Sequence, residues 1–518
     1  MPHDIIKFIR ARRSFKRKSQ RTANVIEANH YNQCTKLLNR IINNKINLQR
    51  NIEWSKLLKN LKPGDKSFWR MSRSLRGKAK NSIPSLKHCN IKINTDCEKA
   101  QLLADTFIKA NNLTTSYKHS IDKSVNSMVN RFKQVNAYNE NVIPTSLNEV
   151  LNIVYKLKPS KSPGFDGISN LLIKQLPEIA LRLLVIIFNS CLHLNYFPQN
   201  FKIAKVIAIQ KPNKPKSDPG SYRPISLLSN ISKLYEKLIY SRISDYVLAN
   251  SLISNEQFGF KREHSSVHQI HRIKNIIINN KHKRHSTGLI LLDIEKAFDT
   301  IWHNGLIFKL IQGNVPKYLC KIISEFLDQR SFIVSVNNSF SVAKTLNTGL
   351  PQGSVLSPML YSIYTSDFTP PSYMKTAYYA DDTALITSSK LTKTLLKKME
   401  NGLQTCNKYF FKWKIKINPS KTQAIIFPFN RSPKRIPNRQ LNFQNDHVDI
   451  QKNVKYLGVV LDNKLNFGKH IDEVCNKAAK TIRALWPLIH KRSTLNFNNK
   501  NLIFKNIIRP TLTYGCPL

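Results

Sequence analysis

Asp293, Asp381 and Asp382 are the residues of this chain whose types and placement best suit chemistry. Asp293 ends the apolar run GLILLD, and Asp381 and Asp382 form an acidic pair with apolar flanks on both sides in KTAYYADDTALIT. Two acidic points, far apart in sequence and both at strand ends, are what two-metal phosphoryl transfer needs, since carboxylates must converge on ions roughly 3.5–4 Å apart. Mg²⁺ suits such a set, because it prefers a few carboxylates together with substrate phosphates and water. One ion would acidify an attacking hydroxyl and the other neutralise the leaving group, so the protein contributes placement and electrostatics and no nucleophile. An Asp-Asp pair is also ordinary turn chemistry. Its surroundings must decide.

The elements around these residues are legible in outline. AKVIAIQ (204–210), TGLILLDI (287–294), KTQAIIF (421–427) and VKYLGVVLD (454–462) read as strands, and residues 225–250 have the length and periodicity of a helix. RSFIVSVNNSFSVAKTLNTG predicts a hairpin turning at Asn337 and Asn338, and a second hairpin turns at the acidic pair. Leu395, Met399, Leu403, Cys406, Phe410 and Trp413 recur at helical steps and mark the core stripe of a long helix. Residues 470–490 are also helical in pattern. An α+β palm with helical appendages is the simplest architecture.

The bulk composition narrows the partners. The chain of 518 residues carries 82 Lys+Arg against 31 Asp+Glu, a formal charge of +51. Such a surface seeks polyanions. An AT-rich coding sequence would inflate lysine too, but it does not favour arginine to the same degree. The run Arg12, Arg13, Lys16, Arg17, Lys18 and Arg21 suits either a nucleic-acid patch or a solvated helix face. Eight scattered cysteines show no zinc spacing, and the longest apolar run, LLVIIF, is far short of a membrane span. The expectation is an intracellular protein, nuclear and cytoplasmic, with no membrane partner.

Nine blocks, in order from about residue 141 onward, resemble the reverse transcriptases of non-LTR (LINE-type) retrotransposons, most closely the jockey-like group. They are KPSKSPGFDGISNLLIKQLP, KPNKPKSDPGSYRPISLLS, QFGFKREHSS, LLDIEKAFDTIWH, GLPQGSVLSPMLYSIY, YADD, NPSKT, YLGVVLD and RPTLTYGCP. The resemblance implies a right-hand polymerase fold with fingers, palm and a partial thumb. It implies RNA-directed DNA synthesis, in which a DNA 3′-end at a primer or target site is extended with dNTPs on an RNA template. The implied cofactor is a pair of Mg²⁺ ions, with Mn²⁺ able to substitute. Asp293, Asp381 and Asp382 match the catalytic aspartates, and the Ile294 carbonyl matches a further metal ligand. Phe298 matches the aromatic gate that excludes a ribose 2′-hydroxyl, while Asp299 is expected to bond locally. Gln352 and Gly353 match residues lying against template and incoming nucleotide. Lys211 and Arg223 match triphosphate-holding positions, Lys421 a lysine near the leaving pyrophosphate, and Tyr456, Leu457 and Gly458 the primer grip. Lys161 to Gly167 fit the loop that relatives place over the template.

The expected boundaries are a basic helical extension over 1–140, with a turn at 62–65, then fingers and palm over 141–462 (core 193–462) and a partial helical thumb over 463–518. Relatives carry an endonuclease before the polymerase and more thumb after it, so the chain is expected to be part of a longer element protein. An incomplete thumb would leave the helix containing Leu485, Trp486 and Leu488 with apolar area exposed. Two rivals remain: a group II intron-type reverse transcriptase, and a catalytically silent nucleic-acid-binding remnant, against which the whole aspartate triad argues.

Overall fold

The computed structural model describes residues 3–59, 83–88, 91–111, 120–135, 142–212, 214–261, 263–430, 440–443 and 446–518. The turn expected at 62–65 lies outside them. Two compact units emerge, one of residues 1–81 with 466–517, the other of residues 82–465.

In the larger unit, a four-stranded antiparallel sheet runs in the order Gln423–Phe427, Ser286–Leu292, Asp382–Ser389, Met374–Tyr379. Ser286–Leu292 is buried along its whole length, which explains its near-continuous apolar character. Leu395, Met399, Leu403, Cys406 and Phe410, on the helix Thr392–Lys412, are almost wholly buried in the same core. Burying each of these side chains contributes about 1.5–3 kcal/mol, so the sheet is a firm base for whatever sits at its end. A second sheet joins Tyr222–Leu227, Ile203–Gln210 and Arg330–Val336, with Ser339–Phe340 and Lys344–Leu346 both paired to the last of these.

Three expectations change in detail. Residues 225–227 are strand, because Lys205, Val206 and Ile207 pair with Leu227, Ser226 and Ile225. The helix Asn230–Ala249 starts only where the Ser229 hydroxyl accepts the Ile231 and Ser232 N–H groups. VKYLGVVLD is a hairpin and not one strand, since Leu457 and Gly458 both take positive φ (47° and 85°) and make a two-residue turn between Asn453–Tyr456 and Val459–Asp462. The compact units also divide elsewhere than at 140 and 462. The helices Asp96–Asn111 and Ser120–Gln134 belong to the larger unit, tied by Asp96 to Asn337 (2.7 Å), Asp105 to Lys344 (2.8 Å) and Asp122 to Lys414 (3.0 Å).

In the smaller unit, the helices His3–Arg21 and Val25–Lys59 pack together, and the latter also packs on Phe497–Ile503. The fully buried Asn499 receives the Ser55 hydroxyl (2.8 Å) and donates to the Asn51 carbonyl (2.8 Å). Leu58 closes over Leu485, Leu495, Ile503 and Ile507. Leu485 is therefore buried and Leu488 half-buried, and the apolar area this helix leaves exposed at these three positions is that of Trp486. The helix Val25–Lys59 covers Leu485 and part of Leu488 through Trp54 and Leu58.

Candidate active site

The three aspartates meet at one end of the four-stranded sheet. Thr383 pairs with Leu292 and Asp382 with Tyr379, so the next residue of the central strand, Asp293, lies beside the acidic turn. Asn418 N–H donates to the Asp293 carbonyl (2.8 Å), and Ile294 bridges to Ile417 as the strand leaves the sheet. Ala380, at φ 58°, turns the hairpin and delivers Asp381 and Asp382 to the same end.

Their electrostatics record the convergence. Burial among the cleft walls, then the Asp381 and Asp293 charges, push the Asp382 carboxyl up to about 6, although the side chain still reaches solvent. Asp381 is raised by burial and then by Asp293, against the lowering pull of its own backbone N–H and of Arg223. Among the described residues no three His, Cys, Asp or Glu side chains are gathered as closely as a ligated ion would hold them. The donor set nevertheless fits a hard divalent cation: three carboxylates that repel one another are relieved by one.

The upward shift of Asp382, from burial first and repulsion second, has a measurable sign. The folded state binds the Asp382 proton more tightly than the unfolded chain does, so ionisation opposes folding. That penalty is absent below the ordinary value near 3.8, grows from there to about 6, and is complete above it. In metal-free buffer, Asp382→Asn is therefore expected to raise Tm at pH 8 and to leave it unchanged near pH 4. Equal melting of the two proteins at pH 8, followed by calorimetry in chelator, would remove the repulsion.

Opposite the carboxylates stands a cationic group. Lys211 is pushed down, by burial first and then by Arg223, Lys421 and Lys296, and its ammonium donates to the Gly220 carbonyl (2.8 Å). Lys421 reaches Asp293 at 3.4 Å. Cations crowded against their own repulsion are a ready site for a polyphosphate. Lys296 was not singled out from the sequence; its signal is its place in DIEKAFD, three residues after Asp293.

Phe298 stacks on the buried Tyr361, ring centroids 4.9 Å apart. Tyr361 itself feels the charges of Asp381 and Asp382, so the aromatic pair adjoins the acidic group. Gln352 donates to Asp299 (2.8 Å) and its carbonyl accepts from Ser226 N–H (2.9 Å). Asp299 thus bonds across 53 residues and not locally, as its sequence context suggested. The next turn, Ser354–Val355, is held by Glu236, a carboxylate with no exposure that accepts from the Ser354 hydroxyl (2.5 Å) and Val355 N–H (2.6 Å). Glu236 was missed in the sequence; a lone acid within an apolar helical stripe was its only signal. Tyr456 is buried and within electrostatic reach of Asp382, placing its hairpin beside the site. Residues 161–167 are mostly exposed, with Gly164 buried.

Residues 209–461, which contain nearly all of these groups, match the family described as reverse transcriptase (RNA-dependent DNA polymerase). This chain carries a reverse transcriptase domain. A probable RNA-directed DNA polymerase from transposon BS of Drosophila melanogaster is 34% identical over 72% of this chain and 42% of its own length. The RNA-directed DNA polymerase from mobile element jockey of the same species is 37% identical over 71% of this chain and 41% of its own. The corresponding protein from transposon X-element is 31% identical over 87% and 49%. The chain thus spans less than half the length of each of these relatives. The reverse transcriptase domain is of the non-LTR, jockey-related kind and has the right-hand polymerase fold. No helix among the described residues is long and apolar enough to cross a membrane.

Proposed function

We propose that this chain extends a DNA 3′-end with dNTPs on an RNA template. The observation that carries the reading is the meeting of Asp293, Asp381 and Asp382 at one sheet end, opposite Lys211, Arg223, Lys296 and Lys421. Asp293, Asp381, Asp382 and the Ile294 carbonyl would hold two Mg²⁺ ions, which when bound acidify the primer 3′-hydroxyl and neutralise charge on the pyrophosphate. Lys211 and Arg223 bind the triphosphate, and Lys421 lies on the side where pyrophosphate leaves. Phe298, fixed by its stack on Tyr361, occupies the space a ribose 2′-hydroxyl would need. Gln352, oriented by Asp299, lies against the template base pair. The Tyr456–Gly458 hairpin supports the primer end. Tested with poly(rA), oligo(dT), dTTP and Mg²⁺, the purified chain is expected to lengthen the primer. Failure to extend under Mg²⁺ or Mn²⁺, while the same duplex still binds, would instead favour a silent binding remnant.

The N-terminal helix supplies part of the nucleic-acid surface in this reading. Arg10, Arg13, Arg17, Lys18 and Arg21 line one open face of it, whereas Arg12 turns inward to Asn39 (3.1 Å). Replacing Arg13, Arg17 and Arg21 by alanine is expected to weaken duplex binding and to flatten log K against log[salt] by about 0.9 per lost phosphate contact. An unchanged slope in a salt titration would make that face a merely solvated one.

A further inference from the structure

We propose that Gln257, in QFGF, is a positioning residue that holds the aspartate turn from behind. The four-stranded sheet does not end in open backbone at Met374–Tyr379. Phe258 N–H donates to the Tyr378 carbonyl (2.9 Å) and Tyr378 N–H to the Glu256 carbonyl (3.0 Å), so residues 256–258 run beside that strand as a short parallel rung. On this rung the Gln257 side chain, 4% exposed, sends its amide oxygen to two backbone donors, Gly259 N–H (2.8 Å) and Ala380 N–H (3.0 Å). The second is the residue that turns the hairpin.

Ala380 needs such a partner. Its φ of 58° is left-handed, a conformation costing a non-glycine residue roughly 1–2 kcal/mol, and such a residue persists only where its surroundings over-determine it. Gly259 closes on the same spot: a Cβ there would stand 2.1 Å from Ala380 N, so no side chain fits between the two backbones. Gln269, wholly buried, completes the brace by donating to the Glu256 and Tyr378 carbonyls (3.0 and 2.9 Å). Arg272 adds a bond to the Thr376 carbonyl (3.2 Å) and an ion pair with Glu256 (3.3 Å). The bonds described that leave this segment fall on Thr376, Tyr378 and Ala380, in or just after the strand that leads into Asp381 and Asp382, and not on those two carboxylates. The 256–272 segment therefore sets where those carboxylates point, and Gln257 grips the turn residue directly.

This inference rests on the polymerase reading for its kinetic consequence but not for its structural one. Gln257→Met keeps the length and bulk and removes the amide acceptor, whereas Gln257→Glu keeps an acceptor. In hydrogen exchange followed by mass spectrometry, Gln257→Met is expected to speed exchange roughly fivefold to tenfold in the peptide 376–384, as loss of one buried hydrogen bond does, with other palm peptides unchanged and Gln257→Glu near wild type. In primer extension, kcat should fall and the Mg²⁺ concentration for half-maximal rate should rise in Gln257→Met, at constant KM for dTTP, with Gln257→Glu recovering much of the rate. Unchanged exchange at 376–384 overturns the proposal whether or not the chain polymerises. Faster exchange spread evenly over the palm overturns it as well, since that is plain destabilisation. If the turn loosens as expected but wild-type protein extends no primer, it is the polymerase reading that fails.

Discussion

Asp381→Asn is expected to lower primer extension by ~10³-fold or more, about 4 kcal/mol of transition-state stabilisation, while binding of primer–template stays within a factor of two or so. The asymmetry follows from where the charge lies. In the proposed reading Asp381 is one of three converging carboxylates that would hold divalent cations, so its loss would remove a ligand and part of the field that retains the ions. The chain keeps a formal charge of +51 before the change, and one acid fewer only makes it more basic. Steady-state extension beside a filter-binding or anisotropy measurement separates the two quantities. Extension near the wild-type rate would sink the assignment of Asp381 as a metal ligand, and a parallel loss of binding would show that the substitution had disturbed the fold.

Gly353→Ala is the second large effect, and its cause is steric. Gly353 lies at φ 136°, and a Cβ there would stand 2.3 Å from the Ser226 carbonyl oxygen, a backbone atom that cannot swing aside. Ser226 is also the residue whose N–H bonds the Gln352 carbonyl, so the 351–354 turn and the strand Tyr222–Leu227 must part. Strain of this kind costs of order 1–3 kcal/mol, and Gln352 would leave its bond with Asp299. Extension efficiency is expected to fall roughly 10²-fold, as a misplacement near 1 Å in a substrate-positioning group can cause, with most of the loss in kcat/KM for the incoming nucleotide. Single-nucleotide incorporation across a dNTP titration measures it. A wild-type value would mean that the Gln352 loop does not need its tie to the neighbouring strand.

The candidate chemical groups of this protein were largely written in short-range sequence. Asp293 after an apolar run and Asp381–Asp382 inside a hairpin are strand-end carboxylates by local pattern alone, and the sheet register brings them together as that pattern required. The long helix was equally plain, because its apolar stripe repeats at the helical period and Leu395, Met399, Leu403, Cys406, Phe410 and Trp413 are all buried. Net charge by itself pointed to a polyanionic partner.

What the sequence left open depends on contacts between distant segments, for which local periodicity carries no signal. Gln257 and Gln269 are ordinary polar residues in the chain, and only the rung beside Met374–Tyr379 makes them the brace of the acidic turn. Glu236 and Asp299 gain meaning from partners more than fifty residues away. The hairpin at Leu457–Gly458 was hidden because a two-residue turn interrupts an apolar run too briefly to break its pattern. The first helices read as a separate basic extension, whereas Asn51, Ser55 and Leu58 of Val25–Lys59 pack on the C-terminal helices. Residue type and spacing thus determined which groups could do chemistry, because a carboxylate at a strand end is a local fact. Tertiary structure decided what aims them, because hydrogen bonds to a strained turn come from whichever segment the fold lays beside it.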